Sequence, residues 1–215
     1  MLFRSQSIVV AIDGPSASGK STVSKEVALK MAFTYVDSGA LYRGMTWKAI
    51  REGVDVKNTP AVIDLMNRIR WQFFAENRVM RFTIDDEDPG LQLRSEPVRE
   101  CVADIAAIAE VRAFLVARLR ETVRFGSIVM EGRDIGSVVL PTTPFKFYLD
   151  ADPEERARRR HAELVKMEGA GSVNQVLDSL NRRDRKDTTR ATAPLQIPLG
   201  ARIINSTTMA VQEVV

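Results

Sequence analysis

An α/β fold built around a parallel sheet is what this 215-residue chain predicts, on three observations. Short apolar runs alternate with helical patterns along most of the sequence, the arrangement that joins parallel strands through helical crossovers. The first run, Ile8 to Ile12, is apolar and mostly β-branched, as expected of a strand covered on both faces. It opens onto Gly14-Pro15-Ser16-Ala17-Ser18-Gly19-Lys20-Ser21, a G-x-x-x-x-G-K-[ST] pattern that belongs between a strand and a helix.

A helix should follow from Lys20 to about Met31, with Val23, Val27 and Met31 as its apolar stripe. Phe33 to Val36 reads as a second strand and Leu41 to Arg51 as a second helix. Ile128 to Met130 and Phe145 to Leu149 are further strand-length apolar runs, each leading into polar or glycine-containing sequence, and Arg202 to Ile204 reads as a last strand. Two stretches break the alternation. Trp71 to Phe74 and Val79 to Ile84 flank Glu76-Asn77-Arg78 as an inserted antiparallel hairpin, whose far end is the acidic turn Asp85 to Gly90. Residues 154 to 186 form a charged helical region interrupted at Gly169-Ala170-Gly171, a hinge that suits a mobile lid. The sequence has no internal repeat.

Composition narrows the class. With 45% hydrophobic and 27% charged residues the chain is neither a disordered tail nor a disulfide-stapled miniprotein. Cys101 is its one cysteine, so neither an intrachain disulfide nor a cysteine zinc site can form; it reads as a small buried hydrophobe in a reducing compartment. No apolar run approaches the roughly 20 residues that span a bilayer, and the N-terminal strand pattern lacks a signal-cleavage site, so a soluble cytoplasmic protein is expected. The net charge is only +3, yet it is built from 23 Arg and 8 Lys, an excess of the cation whose planar fork grips phosphate and carboxylate. Both signs are spread along the chain, without a basic arm of the kind that binds nucleic acid.

In the Gly14 to Ser21 loop the glycines let backbone N–H groups turn around phosphate oxygens, and the helix N-terminus adds positive potential. Lys20 bridges β- and γ-phosphates and Ser21 can ligate Mg²⁺. A guanine-reading Asn-Lys-x-Asp is absent: Asn181-Arg182-Arg183-Asp184 has the wrong cation, which argues against a GTPase. At this length a small-molecule kinase becomes the leading class.

Four further features bear on the acceptor. Asp37-Ser38-Gly39-Ala40-Leu41-Tyr42-Arg43 follows the second strand, where open α/β sheets bind ligands, though Asp-Ser-Gly is also an ordinary turn with Ser38 as helix cap. Glu131-Gly132-Arg133-Asp134 ends another strand on the same rim; the alternative is an internal Arg–Asp salt bridge. Arg112 lies on the apolar line of Leu115, Val116 and Leu119, and Arg183 shares a helix face with Val176, Leu180 and Asp187. A cation on a core-facing stripe needs a partner, either an anionic ligand or, more plainly, a protein carboxylate or a snorkelling route to water. Asp152-Pro153-Glu154-Glu155 is a strong helix start, and Glu154 and Glu155 stand four residues before Arg158 and Arg159. Arg156 to Arg160 therefore read either as a solvated ion-paired face or as arginines that close over a triphosphate.

Taken together, Gly14 to Thr22, Asp37 to Arg43, Glu131-Gly132-Arg133-Asp134-Ile135-Gly136 and Arg183-Asp184 through Arg190-Ala191-Thr192-Ala193-Pro194-Leu195 resemble bacterial cytidylate kinases, in order and spacing over nearly the whole chain. The resemblance implies a three-layer fold of the nucleoside monophosphate kinase type. Its CORE, about 1–58, 105–152 and 172–215, would hold a five-stranded parallel sheet. A monophosphate-binding insertion, about 59–104, would contain a small antiparallel sheet, and a short helical lid would span about 153–171. It implies ATP and Mg²⁺ as cofactors, with Gly14, Pro15, Ser16, Ala17, Ser18, Gly19, Lys20, Ser21 and Thr22 holding ATP and Ser21 the metal. By similarity Ser38, Arg112 and Asp134 would face the cytosine, Arg183 and Asp187 the sugar, and Arg43, Arg133 and Arg190 the acceptor phosphate, with Tyr42 beside them. Lys20, Arg133, Asp134, Arg190 and the lid arginines Arg156 and Arg159 would carry catalysis.

Three departures accompany the resemblance. Ala103 stands where family members place a nucleotide-contacting serine, which bears on CMP against dCMP. Glu131 stands where many have Asp. The final helix of relatives runs on past the position of Val215. The expected reaction is ATP-dependent phosphorylation of CMP and dCMP by a monomer that binds neither nucleic acid nor membrane. The alternatives are a kinase of another monophosphate or small hydroxyl substrate, such as UMP, AMP or shikimate, or a P-loop nucleic-acid-binding ATPase. His161 reads as a lid-helix surface residue, and Trp47 and Trp71 as packing anchors.

Overall fold

The computed structural model describes residues 7–168 and 172–215, and the elements alternate as expected. They run β1 (Val9–Asp13), α1 (Lys20–Met31), β2 (Thr34–Asp37), α2 (Ser38–Arg51), α3 (Thr59–Arg68), β3 (Trp71–Glu76), β4 (Val79–Ile84), α4 (Glu96–Ile105), α5 (Ala109–Glu121), β5 (Ile128–Gly132), β6 (Phe145–Asp150), α6 (Pro153–Glu168), α7 (Val173–Thr189), β7 (Arg202–Asn205) and α8 (Val211–Val214). The result is an α/β fold whose strands pair mostly in parallel, with one antiparallel pair. The Gly169-Ala170-Gly171 hinge lies outside the described residues.

Two compact units divide the chain. The first takes Ala28–Met130 with the described residues of Met1–Val9; the second takes Val10–Val27 with the described residues of Glu131–Val215.

In the first unit the hairpin turns at Asn77 and Arg78, both left-handed (φ 49° and 59°), the backbone of a two-residue turn that matches strand twist. Strands β3 and β4 pair antiparallel from Trp71↔Ile84 to Glu76↔Val79. The hairpin does not stand apart as a sheet of its own: β4 also meets β2 in parallel at Tyr35↔Val79, and Tyr35 N–H donates to Arg78 O at 2.8 Å. Helix α2 packs against this hairpin through Gly44, where a Cβ would come within 2.8 Å of the Phe82 ring and 3.1 Å of Trp71. Trp71 stacks on Phe73 at 5.8 Å, and Trp47 is buried with its Nε1–H donating to Gln92 Oε1 at 2.6 Å, so both tryptophans are packing anchors. Lys48, also buried, reaches Glu52 at 2.8 Å and Asp85 at 2.9 Å, tying α2 to the acidic turn. Leu41, Met45, Leu65, Ile84, Ile105 and Leu115 form the centre of this unit's core.

In the second unit β6 lies between β1 and β7, all parallel, in registers Val10↔Phe145 to Asp13↔Tyr148 and Phe147↔Arg202 to Asp150↔Asn205. Helices α6 and α7 pack through Ala157, Val176 and Leu180, with Ala17 of the glycine-bordered loop against them. Ser172 caps α7 in a capping box with Gln175.

Three expectations are corrected. The stripe of α1 stops before Met31, which is 46% exposed; burial falls on Val23, Ser24 and Ala28 instead. The helix ends there because Ala32 turns left-handed (φ 57°) and Phe33 N–H returns to Ala28 O at 2.8 Å. Helix α2 begins at Ser38, earlier than the apolar pattern indicated, and its cap is Asp37, whose Oδ1 accepts from Ala40 N–H at 3.1 Å. Cys101 is half-buried rather than buried.

Candidate active site

The loop from Gly14 to Gly19 leaves β1 and enters α1 where only glycine fits. Gly14 has φ +149°, and a Cβ on it would stand 2.0 Å from Leu149 O, so the loop runs against β6 without room for a side chain. Gly19 has φ +92°, a left-handed turn into the helix. Lys20, the first residue of α1, is 4% exposed and folds back into the loop, donating to Pro15 O at 2.5 Å and Ser18 Oγ at 3.3 Å. Ser21 is half-buried beside it and Thr22 exposed.

Burial pushes the Lys20 ammonium down to about 7; Arg133 and Arg183 press the same way, against Glu131 and Asp13. Those two carboxylates do not offset the burial and the two guanidiniums. Together with the glycine-bordered loop that turns into the N-terminus of α1, this fits a bound polyphosphate, whose charge would hold the ammonium protonated. Among the described residues no group of three or more His, Cys, Asp or Glu could hold a metal. A divalent ion here would draw on Ser21 with water and phosphate oxygens, since Mg²⁺ keeps several waters and is held by few protein groups together with substrate phosphates.

Beside the loop, Arg133 donates from Nε to Asp187 Oδ2 at 3.0 Å. Arg190 lies 3.8 Å from Asp134 Oδ1 and 3.7 Å from Asp187 Oδ1. The Arg133, Arg183 and Arg190 cations hold the Asp187 carboxyl below its usual range despite burial, so it stays ionised. Asp13, at the end of β1, is fully buried and accepts from Ile135 N–H at 2.7 Å and Gly136 N–H at 2.8 Å.

The arginine run on α6 divides by helical phase. Arg158 and Arg160 pair with Glu155 (3.1 Å) and Glu163 (2.8 Å) toward solvent. Arg156 is 5% exposed and donates to Ala151 O, to Ser16 O at 3.1 Å, and to Asp184. Arg159 pairs with Glu155 at 3.0 Å and donates to Ser206 O at 2.6 Å and Ser206 Oγ at 3.1 Å. His161 on the same helix is half-buried.

In the first unit, Asp37 pairs with Arg43 Nη2 at 2.6 Å, and the Arg43 and Arg94 charges with the Ala40 amide hold its carboxyl below the usual range against burial. Ser38 and Tyr42 are buried. Arg112, 2% exposed, lies 5.3 Å from the Tyr42 ring and donates to Ala106 O at 3.2 Å. Its stripe position is thus met by a carbonyl and an aromatic face.

The second unit therefore brings together Gly14 to Ser21, Arg133, Asp134, Arg156, Arg159, Arg183, Asp187 and Arg190, while the first gathers Ser38, Tyr42, Arg43 and Arg112. Sequence reasoning missed Asp13, Asp184 and Ser206. Asp13 was legible as a carboxylate bordering the loop; Asp184 sits inside a quoted motif but drew no role; Ser206 carries no sequence signal.

A buried lysine in a strand-to-helix glycine loop, with arginines and carboxylates converging beside it, defines a P-loop phosphotransferase. The sequence profile of cytidylate kinases matches residues 10–215. The cytidylate kinase of Caldanaerobacter subterraneus is 39% identical over 208 residues, covering 97% of this chain and 91% of that protein. Those of Pelotomaculum thermopropionicum and Mycobacterium leprae are 41% and 40% identical, at 96% and 97% of this chain and 92% of each relative. The chain belongs to the cytidylate kinase family. Among solved structures, a shikimate kinase from Bacteroides thetaiotaomicron aligns at a TM-score of 0.42 and 15% identity over 96% of both chains, too distant to carry an argument. No helix among the described residues is long and apolar enough to cross a membrane.

Proposed function

We propose that this protein transfers the γ-phosphoryl group of ATP to CMP, and to dCMP, giving ADP and CDP or dCDP. The observation that carries the reading is Lys20, buried in the glycine-bordered loop with the Arg133 charge acting on it, in a chain of the cytidylate kinase family. An oxygen of the CMP phosphate attacks the γ-phosphorus while the bond to the β–γ bridging oxygen breaks and ADP leaves. The attacking phosphate is already ionised near neutral pH, so no strong base is needed, and catalysis rests on alignment and charge neutralisation.

The loop N–H groups between Gly14 and Thr22, Pro15 excepted, and the Lys20 ammonium grip the ATP phosphates. Ser21 would hold Mg²⁺, which when bound neutralises phosphate charge and orients the β- and γ-oxygens. Arg43, Arg133 and Arg190 take the acceptor phosphate, Arg183 and Asp187 the sugar, and Ser38, Arg112 and Asp134 the cytosine, with Tyr42 under Arg112. Arg156 and Arg159 serve the ATP side by exchanging protein acceptors for phosphate oxygens. The same reading makes the protein a cytoplasmic monomer acting on free nucleotides.

ADP formation with CMP, dCMP, UMP and AMP as acceptors tests the proposal. CMP and dCMP should turn over well ahead of the others. Equal rates with UMP and CMP would exclude cytosine selectivity, and stimulation by single-stranded nucleic acid without a monophosphate would exclude the kinase.

A further inference from the structure

We infer that Asp13 is a positioning residue for phosphoryl transfer, its carboxylate holding the Arg133–Asp134 turn in register with the phosphate-binding loop. The inference rests on the kinase reading above and adds to it a residue that touches no reactant.

Asp13 ends β1, where its backbone is paired with Tyr148 of β6, and the next residue is Gly14 of the loop. The side chain is fully buried, an unfavourable place for a carboxylate unless both oxygens are satisfied. They are satisfied by one feature. Oδ1 takes the N–H of Ile135 at 2.7 Å and Oδ2 the N–H of Gly136 at 2.8 Å, the two amides that follow Arg133–Asp134. Consecutive amides at the start of a turn present a small positive concavity to an anion. The turn runs on from there, with Val138 and Val139 N–H both donating to Asp134 O.

The other side of the turn leaves little slack. A Cβ on Gly136 would meet Pro198 Cγ at 3.1 Å and Lys146 Cγ and Cδ at 3.2 Å. The turn is thus held between a packed wall and the Asp13 carboxylate. From it Arg133 reaches Asp187 of α7 at 3.0 Å, so the tether also sets where that guanidinium begins. One side chain spans 122 residues of sequence to couple the loop that holds the donor to the turn proposed to meet the acceptor phosphate. Both oxygens are needed. Asparagine keeps the shape but offers one acceptor and one NH₂ donor, and the NH₂ would face an amide N–H.

The test compares wild type with Asp13→Asn well below the variant's melting temperature. Three measurements are made: steady-state kinetics giving kcat and KM for CMP at saturating ATP, ATP affinity without acceptor, and hydrogen exchange of the Ile135 and Gly136 amides. The expected result is a loss of about a hundredfold in kcat, the scale on which misplacement near 1 Å acts, with CMP KM raised and ATP affinity unchanged within about twofold. At least one of the two amides should lose protection. Wild-type kcat and CMP KM in the variant, whatever its melting temperature, overturn the inference, as does an equal loss of ATP affinity, which would place the effect in the loop. Should Asp13→Asn not fold, replacing Ile135 by its α-hydroxy acid removes one donor from the opposite side, and wild-type kinetics in that protein overturn the inference equally. Absence of CMP-dependent turnover in the wild type refutes the kinase reading instead, and amide exchange in Asp13→Asn still decides whether the tether exists.

Discussion

Binding of ATP should draw a proton onto Lys20, and the size of the effect follows from the site. The ammonium is buried to 4% exposure and held at about 7, against an ordinary 10.5. Desolvation is the largest cause, followed by Arg133. A polyphosphate in the loop reverses the balance by placing negative charge against the lysine. A return toward the ordinary value measures the favourable lysine–phosphate interaction. At about pH 8 Lys20 is then mostly neutral in the free protein and charged in the complex, so up to about one proton is taken up per nucleotide. Calorimetric titration with ATP, without acceptor, in Tris and in a buffer of lower ionisation heat reads this number directly. Lys20→Met should abolish the buffer dependence. Stability gives a second reading of the same linkage. Between about pH 7 and 10.5 the unfolded chain binds more protons at this lysine than the fold does, so the ligand-free protein should gain stability as pH rises through that window. An observed heat independent of buffer at about pH 8, with wild-type ATP affinity, would refute a neutral Lys20 and the charge argument built on it.

Substitutions at Arg133 with Asp187, and at Gly14 against Gly53, separate chemistry from architecture. Arg133→Met should cripple transfer with ATP binding largely intact, and should also cost about 3 kcal/mol because Asp187, 7% exposed, loses its 3.0 Å partner. The double variant with Asp187→Asn should recover melting temperature but not turnover; recovery of both would make the pair merely structural. Because Asp187 is held below the usual 3.8, its stabilisation is present above that value and fades as pH falls through the lowered one, an acid limb the double variant should lack. Gly14→Ala should abolish ATP binding, since its methyl would lie 2.0 Å from Leu149 O, whereas Gly53→Ala, with φ +68° and nothing within 4 Å, should cost about 1 kcal/mol of stability and leave turnover unchanged. Similar ATP affinities in the two would contradict the close-approach argument.

The residues legible in advance are those whose chemistry is local. The loop from Gly14 to Ser21 is a contiguous pattern in which each residue type has its own reason, and it sits between β1 and α1 as expected. The hairpin turn at Asn77-Arg78 and the Ser172 cap are likewise decided within a few residues. Helical phase placed Arg112 on a buried stripe, and the structure buries it to 2%. What phase could not supply was the partner, since the Ala106 carbonyl lies just before the helix and the Tyr42 ring comes from α2.

The arginine run of α6 shows the same boundary. Pairing at four-residue spacing was readable for Arg158 and Arg159, but that Arg156 turns inward to Ser16 O and Asp184 depends on a loop 140 residues away. Asp13 is the sharpest case. Its neighbours in sequence are an apolar strand and a glycine, and neither indicates that its carboxylate will be fully buried against the amides of Ile135 and Gly136. Sequence alone determined the element order, the phosphate loop and the family, because short-range backbone preference and side-chain chemistry suffice for those. The tertiary structure decided which charges are buried and what answers them. Desolvation and hydrogen bonding act over a few ångströms of space, and the chain brings those ångströms together from positions more than a hundred residues apart.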